Sequence, residues 1–313
     1  MFWKSSIWVL LLVSFACKER TLTPEKEAAG YFNPSALIEA WELRNRLQET
    51  GFRVIDFRTA EDYQKGHIPG AVRIWRPDIE NPDAPVKGMM AGRKVVEALF
   101  SRLGILETDT LVLYDDRADC DAARLWWVLQ VYGFTQARLL NGGMHAWLAE
   151  GGPVTTLEPN PVPSAFRLPE AGAPGYLVEA DSLADCLARE ACIAIDARST
   201  DEFTGKRLKK GASRAGRIPG SHHRDWAGTV HYETDMKFRS PEELQKIYAF
   251  IPEGDNTEII TYCHSGVRSA HTFFVLTQLL GYERVRNFDG SWIQWSALET
   301  APVLQDRFTQ ILE

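Results

Sequence analysis

The sequence has no dense run of lysine or arginine, few cysteines and no apolar stretch long enough to span a bilayer, and each shortage narrows what the protein does. Lys and Arg number 35 against 42 Asp and Glu, for a net charge of -7. A nucleic-acid surface needs a basic stripe, so no nucleic acid is expected as a partner. The five cysteines show neither the paired spacing of a zinc site nor an even framework of disulfides, so no metal is expected. Cys186 and Cys192 fall on a predicted helix and on the strand after it, and they read as two buried thiols packing as small hydrophobes. No cofactor is implied. With 45% hydrophobic residues, 25% charged residues and ten tryptophans, there is ample material for a packed interior.

The first residues differ from the rest. Met1 to Lys4 supply a short positive region, and Ile7 to Ala16 form an apolar run that stops at Cys17. That run is too short for a membrane span and reads as a signal peptide over residues 1–16. Its end permits two readings. Ser14-Phe15-Ala16 supplies small residues for ordinary cleavage, whereas Cys17 suits lipid attachment, although Ser14 departs from the leucine-like residue usual in lipoproteins. An uncleaved anchor is the plainer alternative. Residues 17–30 would then be a polar tether, and the protein is expected to be exported, either periplasmic or lipid-anchored to a bacterial membrane.

At 313 residues the chain is about twice an ordinary domain, so two cores of roughly 130 residues each are expected. Internal similarity supports this division. Leu111 to Asp115 resembles Ile259 to Cys263, and the distance from Asp115 to Gly133 equals that from Cys263 to Gly281. Val54-Ile55-Asp56-Phe57-Arg58 matches Ala194-Ile195-Asp196-Ala197-Arg198, and Gly66 to Ala71 matches Gly216 to Ser221. Asn141 to Trp147 matches Phe288 to Trp295 once one residue slips. Within each copy short apolar β runs alternate with helical stretches, as in Val54 to Asp56, Arg93 to Leu103, Thr110 to Tyr114 and Ala122 to Tyr132. Such alternation predicts an α/β fold, a parallel sheet covered by helices on both faces, in each half. The first domain is expected over 31–157 and the second over 176–313, joined by a Pro/Gly-rich, extended, semi-rigid connector over 158–175.

The chemistry concentrates at Cys263. It follows the β run Glu258 to Tyr262 and precedes the helical run Ala270 to Leu280, so it sits where a parallel sheet opens its ligand crevice. The turn Cys263-His264-Ser265-Gly266-Val267-Arg268 includes a glycine that lets successive N–H groups converge on the sulfur. The helix N-terminus and the Arg268 guanidinium should both lower the thiol pKa. A thiolate ringed by N–H donors is a nucleophile whose anionic product the same donors hold. A lone cysteine ending a buried strand is more often packing than chemistry, but the first copy places Asp115 and Cys120 where the second places Cys263 and Arg268, so only one copy is armed. Four residues separate Cys263 from Arg268, one fewer than in cysteine phosphatases, and the tighter ring suits a single sulfur better than phosphate or arsenate.

On these residues the chain resembles the tandem-domain rhodaneses, the thiosulfate and 3-mercaptopyruvate sulfurtransferases, over nearly all its length after the leader. Tyr63 to Ile74 is similar to the family's N-terminal signature and Val285 to Trp295 to its C-terminal one. The resemblance implies an inactive first domain, an active second domain and a cleft between them holding Cys263. It implies a ping-pong cycle in which Cys263 becomes a persulfide, with thiosulfate or 3-mercaptopyruvate as donor and cyanide or a thiol as acceptor. Animal thiosulfate enzymes carry a lysine at the position of Ser265 and mercaptopyruvate enzymes a serine. Arg268, where both groups commonly have threonine, resembles bacterial thiosulfate sulfurtransferases and single-domain members, and a fixed cation suits a small dianion, which favours thiosulfate. A persulfide carrier serving an exported partner protein is the competing reading. Gln294 and Arg217 depart from the usual Glu and His of the signatures and should touch packing more than chemistry.

The substrate-binding set expected around Cys263 is therefore His264, Ser265, Gly266, Val267 and Arg268, with Arg198 and Trp226 beside them. Arg198 recurs as Arg58 in the unarmed copy, which favours an ion pair with Asp196 beneath the loop over a contribution to the cleft. His264 either donates to the leaving group or faces solvent, and sulfite departure needs no acid, which favours solvent. Trp226 reads as a cleft wall, while His222 and His223 lack the further ligands of a metal site. Trp126, Trp127, Trp147, Trp292 and Trp295 read as core, and a monomer is expected.

Overall fold

The structure, a computed structural model, describes residues 30–84, 86–252 and 257–306. The expected leader, Cys17 and all but the last residue of the tether lie outside the described residues. In the first half the elements are β1 (Leu37–Ile38), α1 (Ala40–Arg46), β2 (Phe52–Asp56), α2 (Ala60–Lys65), β3 (Val72–Arg73), α3 (Arg93–Arg102), β4 (Thr110–Tyr114), α4 (Ala122–Val131), β5 (Ala137–Leu140) and α5 (Gly143–Ala149). The second half repeats them as β6 (Leu177–Val178), α6 (Ala180–Ala188), β7 (Cys192–Asp196), α7 (Thr200–Thr204), β8 (His222–His223), α8 (Pro241–Ile247), β9 (Glu258–Tyr262), α9 (Val267–Phe274), β10 (Val285–Phe288) and α10 (Ser291–Ala297). Each half builds a five-stranded parallel sheet, in the orders β1-β5-β4-β2-β3 and β6-β10-β9-β7-β8. The expected α/β fold is thus present twice. The registers repeat as well: Asp56 lies opposite Tyr114 on β2 and β4, and Asp196 opposite Tyr262 on β7 and β9.

The interior departs from the expectation of two separate cores. One cluster of buried side chains runs continuously through both halves, with a smaller cluster on the outer face of each sheet. The joint is α4 packed on α9. Trp126 meets Phe274 edge-on, ring centroids 4.8 Å apart, and Phe273 at 6.3 Å. All ten residues of α4 are buried, because one face meets its own sheet and the other meets the opposite domain. A helix so placed has no solvent side, which is why Leu125 to Leu129 is apolar throughout. Burying each such aromatic contributes about 2 kcal/mol. The tryptophans read as core are all nearly or fully buried.

Two further points concern the connector and the cysteines. The connector, expected to be extended and semi-rigid, forms no regular element before Pro174 and packs against the first domain. Phe166 inserts between Phe100 and Phe134, with centroids at 5.0 and 5.7 Å, and Ser164 N–H donates to the Ser101 carbonyl. The prolines stiffen the strap while Phe166 and Leu168 anchor it. Second, Cys186 and Cys192 are joined as a disulfide, with Cα atoms 5.8 Å apart, rather than packed as free thiols. The turn from α6 into β7 folds back within six residues and brings the two side chains together, a geometry that residue spacing alone does not reveal. Cys120 and Cys263 are free and buried.

Candidate active site around Cys263

Strand β9 ends at Tyr262, and Cys263 is the next residue, at the carboxyl edge of the sheet. The chain then turns sharply into α9 through Gly266, whose φ of +76° lies in the left-handed region. A side chain there is excluded twice over, since a Cβ would stand 2.8 Å from the Asp289 carbonyl oxygen and 2.9 Å from Arg124 Nη1. Helix α10 holds the turn from below: Trp292 N–H donates to the Cys263 carbonyl at 3.0 Å and Ile293 N–H to the His264 carbonyl at 3.1 Å.

The N–H groups divide between two acceptors. Those of Ser265 and Ser269 donate to the Cys263 sulfur, and Ser269 Oγ reaches it at 3.5 Å. Those of Cys263 and Gly266 donate instead to Ser291 Oγ, at 3.1 and 3.0 Å. The expected convergence of successive amides is therefore partial, and Ser291 props the loop open. Burial disfavours the thiolate, yet the charge of Arg268 followed by the Ser269 and Ser265 donors outweighs it, and the Cys263 pKa is lowered from the ordinary 9.0. Thiolate is thus populated at lower pH than in a free cysteine, which is the direction a nucleophile needs.

The first domain provides an internal comparison. Asp115 stands where Cys263 does, and four backbone N–H groups surround its carboxylate: Arg117 at 2.7 Å and Asp119 at 2.9 Å on Oδ1, Asp121 at 2.6 Å and Ala122 at 2.9 Å on Oδ2. Burial and the neighbouring Asp121 push the Asp115 pKa up while these donors pull it down, and four N–H groups aimed at one carboxylate suit its ionised form. The same turn therefore cradles a negative charge in both halves. In the first half the anion is built in and no nucleophile is present.

Arg268 is held bidentately by Glu202, at 2.7 and 2.9 Å. Burial works against the Glu202 carboxylate, but Arg268 overrides it and lowers the pKa from the ordinary 4.5 to about 2. A depressed carboxylate adds stability that is complete above its ordinary pKa and is lost as pH falls through about 2. The pair therefore persists through the physiological range.

The remaining expected residues divide. Ser265 is partly exposed and Val267 buried. Ser265 touches the first domain closely enough that a Cβ on Gly88 would come within 3.1 Å of its own. His264 does not face solvent: it is buried, and its Nε2–H donates to the Lys210 carbonyl at 3.1 Å. Burial followed by Lys209 lowers its pKa to about 4, so the ring is neutral. Arg198 is turned inward. It bonds both oxygens of Asp196 and the Gly216 carbonyl at 2.7 Å, under the Trp292 ring. Arg58 repeats this with Asp56 and Gly66. The guanidinium is thereby paired inside the fold and, being buried, does not present itself to a substrate. Trp226 is an interior residue packed edge-on to His271 of α9 at 5.2 Å, not an open wall. His222 stacks on Phe250, and His223 on Phe203.

Residues unseen in the sequence complete the site. Glu202, Lys209, Ser269 and Ser291 surround the loop, and Arg124 reaches it from the first domain. Arg124 Nη2 lies 2.5 Å from Asp289 Oδ1 and donates to the Gly88 carbonyl at 2.9 Å, while Nη1 donates to the Gly266 carbonyl at 3.3 Å. Only Ser291 carried a signal, as part of the repeated motif before Trp292.

A family model described as the rhodanese-like domain matches residues 39–150 and again 179–298. The thiosulfate sulfurtransferase of Corynebacterium glutamicum is 34% identical over 284 residues, covering 87% of this chain and 91% of that protein. The sulfur carrier protein TtuD of Thermus thermophilus is 34% identical over 286 residues, covering 88% and 98%. The fold is shared with SseA of Escherichia coli, a 3-mercaptopyruvate sulfotransferase by its description, at a TM-score of 0.73 and 24% identity over 82% of this chain and 98% of that one. It is also similar to the anaerobic ergothioneine biosynthesis enzyme of Chlorobium limicola, at a TM-score of 0.75 and 25% identity over 89% and 72%.

Proposed function

Because the chain belongs to the rhodanese family, with one rhodanese-like domain in each half, we propose that it is a thiosulfate sulfurtransferase working through a Cys263 persulfide. The observation that carries this is the Cys263 sulfur itself, a thiolate-favouring nucleophile met by N–H and O–H donors at the mouth of the armed sheet. The thiolate attacks the outer sulfur of thiosulfate. The sulfur–sulfur bond of the donor breaks, its electron pair leaves with sulfite, and a persulfide anion remains on Cys263. Cyanide or a thiolate acceptor then attacks the outer persulfide sulfur, and the bonding pair returns to Cys263. Negative charge stays on sulfur throughout, so the donors and Arg268 serve both half-reactions, and no general acid is needed.

With thiosulfate and cyanide the purified protein is expected to form thiocyanate, and thiosulfate alone should leave Cys263 heavier by one sulfur atom. Failure to load sulfur from thiosulfate while 3-mercaptopyruvate loads it would transfer the assignment to the mercaptopyruvate donor, which Ser265 favours. Slow release to small acceptors with fast release to a protein thiol would favour a persulfide carrier, a reading supported by the likeness to TtuD.

The protein is further proposed to act outside the cytoplasm, lipid-anchored through Cys17 or free in the periplasm. The apolar run before Cys17 and the Cys186–Cys192 disulfide support this, since such bonds persist in oxidising compartments. The mass of the mature protein tests it: retention of Met1 to Ala16 would count against a cleaved leader.

A further inference from the structure

The two copies of the turn share two backbone donors and differ in a side chain that one of them carries. The N–H groups two and six residues after the nucleophile position donate inward in both copies, those of Arg117 and Asp121 to Asp115 and those of Ser265 and Ser269 to Cys263. At the later position the first domain has Asp121, whose carboxylate pairs with Arg76 and Arg117. The second has Ser269, whose Oγ reaches the Cys263 sulfur at 3.5 Å and has no other hydrogen-bond partner among the described residues. The strand beneath differs to match. Thr261 stands where the first copy has Leu113. A fully buried hydroxyl costs free energy unless it is bonded, and the nearest acceptor of Thr261 Oγ1 is the Ser269 carbonyl at 3.1 Å. Of the two turns, only the armed one carries a hydroxyl on the nucleophile position and a second hydroxyl that fixes the residue bearing it.

The geometry points to Ser269 as a catalytic residue of the discharge half-reaction, its hydroxyl donating to the inner sulfur and stabilising the Cys263 thiolate as that thiolate leaves the persulfide. The inference rests on the sulfur-transfer reading and adds to it the residue that receives the departing charge. When cyanide attacks the outer sulfur, a carbon–sulfur bond forms, the sulfur–sulfur bond breaks, and its electron pair passes to Cys263 Sγ. No proton moves, and the Ser269 O–H bond stays intact. In the persulfide anion the charge lies on the outer sulfur and the inner one is a weak acceptor, so the hydrogen bond strengthens as discharge proceeds. Loading runs the other way, since the same bond weakens as the thiolate gives its electron pair to the donor sulfur. At fixed ionisation Ser269 therefore speeds discharge, while for loading it serves only to keep the thiol ionised. Because Ser269 is fully buried, its hydroxyl meets the sulfur from the interior and leaves the solvent side to the acceptor.

The test separates the two half-reactions in single turnovers of the full chain. Sulfur-free protein mixed with thiosulfate is followed by sulfite release, and sulfur-loaded protein mixed with cyanide by thiocyanate formation. Both are read at a pH where the thiol of each variant is fully ionised, located from the ultraviolet absorbance of the thiolate. Ser269→Ala is expected to slow discharge about tenfold, while loading at that pH holds within about twofold of wild type or rises. At neutral pH loading should fall as well, because the thiol of the variant ionises at higher pH. Equal slowing of loading and discharge in the fully ionised range would mark a packing role and overturn the proposal. Discharge at the wild-type rate with normal loading would leave the sulfur-transfer reading standing and remove the role of Ser269. If the wild-type protein takes no sulfur from thiosulfate, the donor reading falls, and the discharge comparison on protein loaded with inorganic polysulfide decides the role of Ser269 separately, tenfold slower discharge upholding it and equal rates overturning it.

Discussion

Replacing Cys263 by serine is expected to lower kcat for sulfur transfer by at least about a thousandfold, with the fold and thermal stability close to wild type. Serine is nearly isosteric, so the donors of Ser265 and Ser269 that meet the sulfur still find an acceptor. A serine hydroxyl stays protonated at neutral pH, however, and cannot form the sulfur–sulfur bond on which the cycle depends. The other free thiol among the described residues gives no alternative route. Cys120 is fully buried, and burial followed by Asp121 raises its pKa well above the ordinary 9.0. Thiocyanate formation by the serine variant at more than about a tenth of the wild-type rate would place the chemistry elsewhere. Mass spectrometry of the thiosulfate-treated variant should show no added sulfur.

The second large effect is on stability. Substituting Arg124 by methionine is expected to reduce the free energy of unfolding by about 3–5 kcal/mol, read from urea denaturation. Arg124 and Asp289 are each 2% exposed, and they face one another across the domain boundary. Removing one partner leaves the other as an uncompensated buried charge and also strips the Gly88 and Gly266 carbonyls of a donor. Removing both partners together, as Arg124→Met with Asp289→Leu, should recover much of the loss, because the stranded charge disappears with its partner. A single substitution costing less than about 1 kcal/mol would show that the boundary tolerates water and that the pair is solvated. Activity should fall too, since Gly266 sits in the turn that presents Cys263.

The first domain therefore does more than repeat the second without a nucleophile. Its α4 supplies the opposite wall of the shared interior and the cation beneath the active turn, and its Gly88 presses on Ser265. The Asp115 carboxylate ligated by four amides shows what the turn is shaped to hold.

Much of this was legible in the chain itself. Thr110 to Tyr114 and Glu258 to Tyr262 are strands with the bounds that pattern suggested, because short runs rich in β-branched and aromatic residues are too brief for a helix and suit a buried strand. Helix α4 ends one residue before the expected Tyr132, and the run expected as helix from Ala270 to Leu280 begins earlier, at Val267, and widens to a π turn over Val275–Leu279. The edge strands β1, β3, β6 and β8 are two residues each, too short to leave a periodic trace.

What the sequence determined by itself was the duplication, the parallel α/β fold of each half and the position of Cys263 in the turn after a strand, because hydrophobic periodicity and glycine chemistry act over a few neighbouring residues. Only the tertiary structure decided how the charges are shared. Glu202 claims Arg268 from 66 residues away, Arg124 reaches Gly266 across 142, and the turn of His264 toward Lys210 spans 54. Those pairings are settled by which surfaces the two sheets bring together, and a desolvated charge takes the nearest partner in space, whatever its distance along the chain.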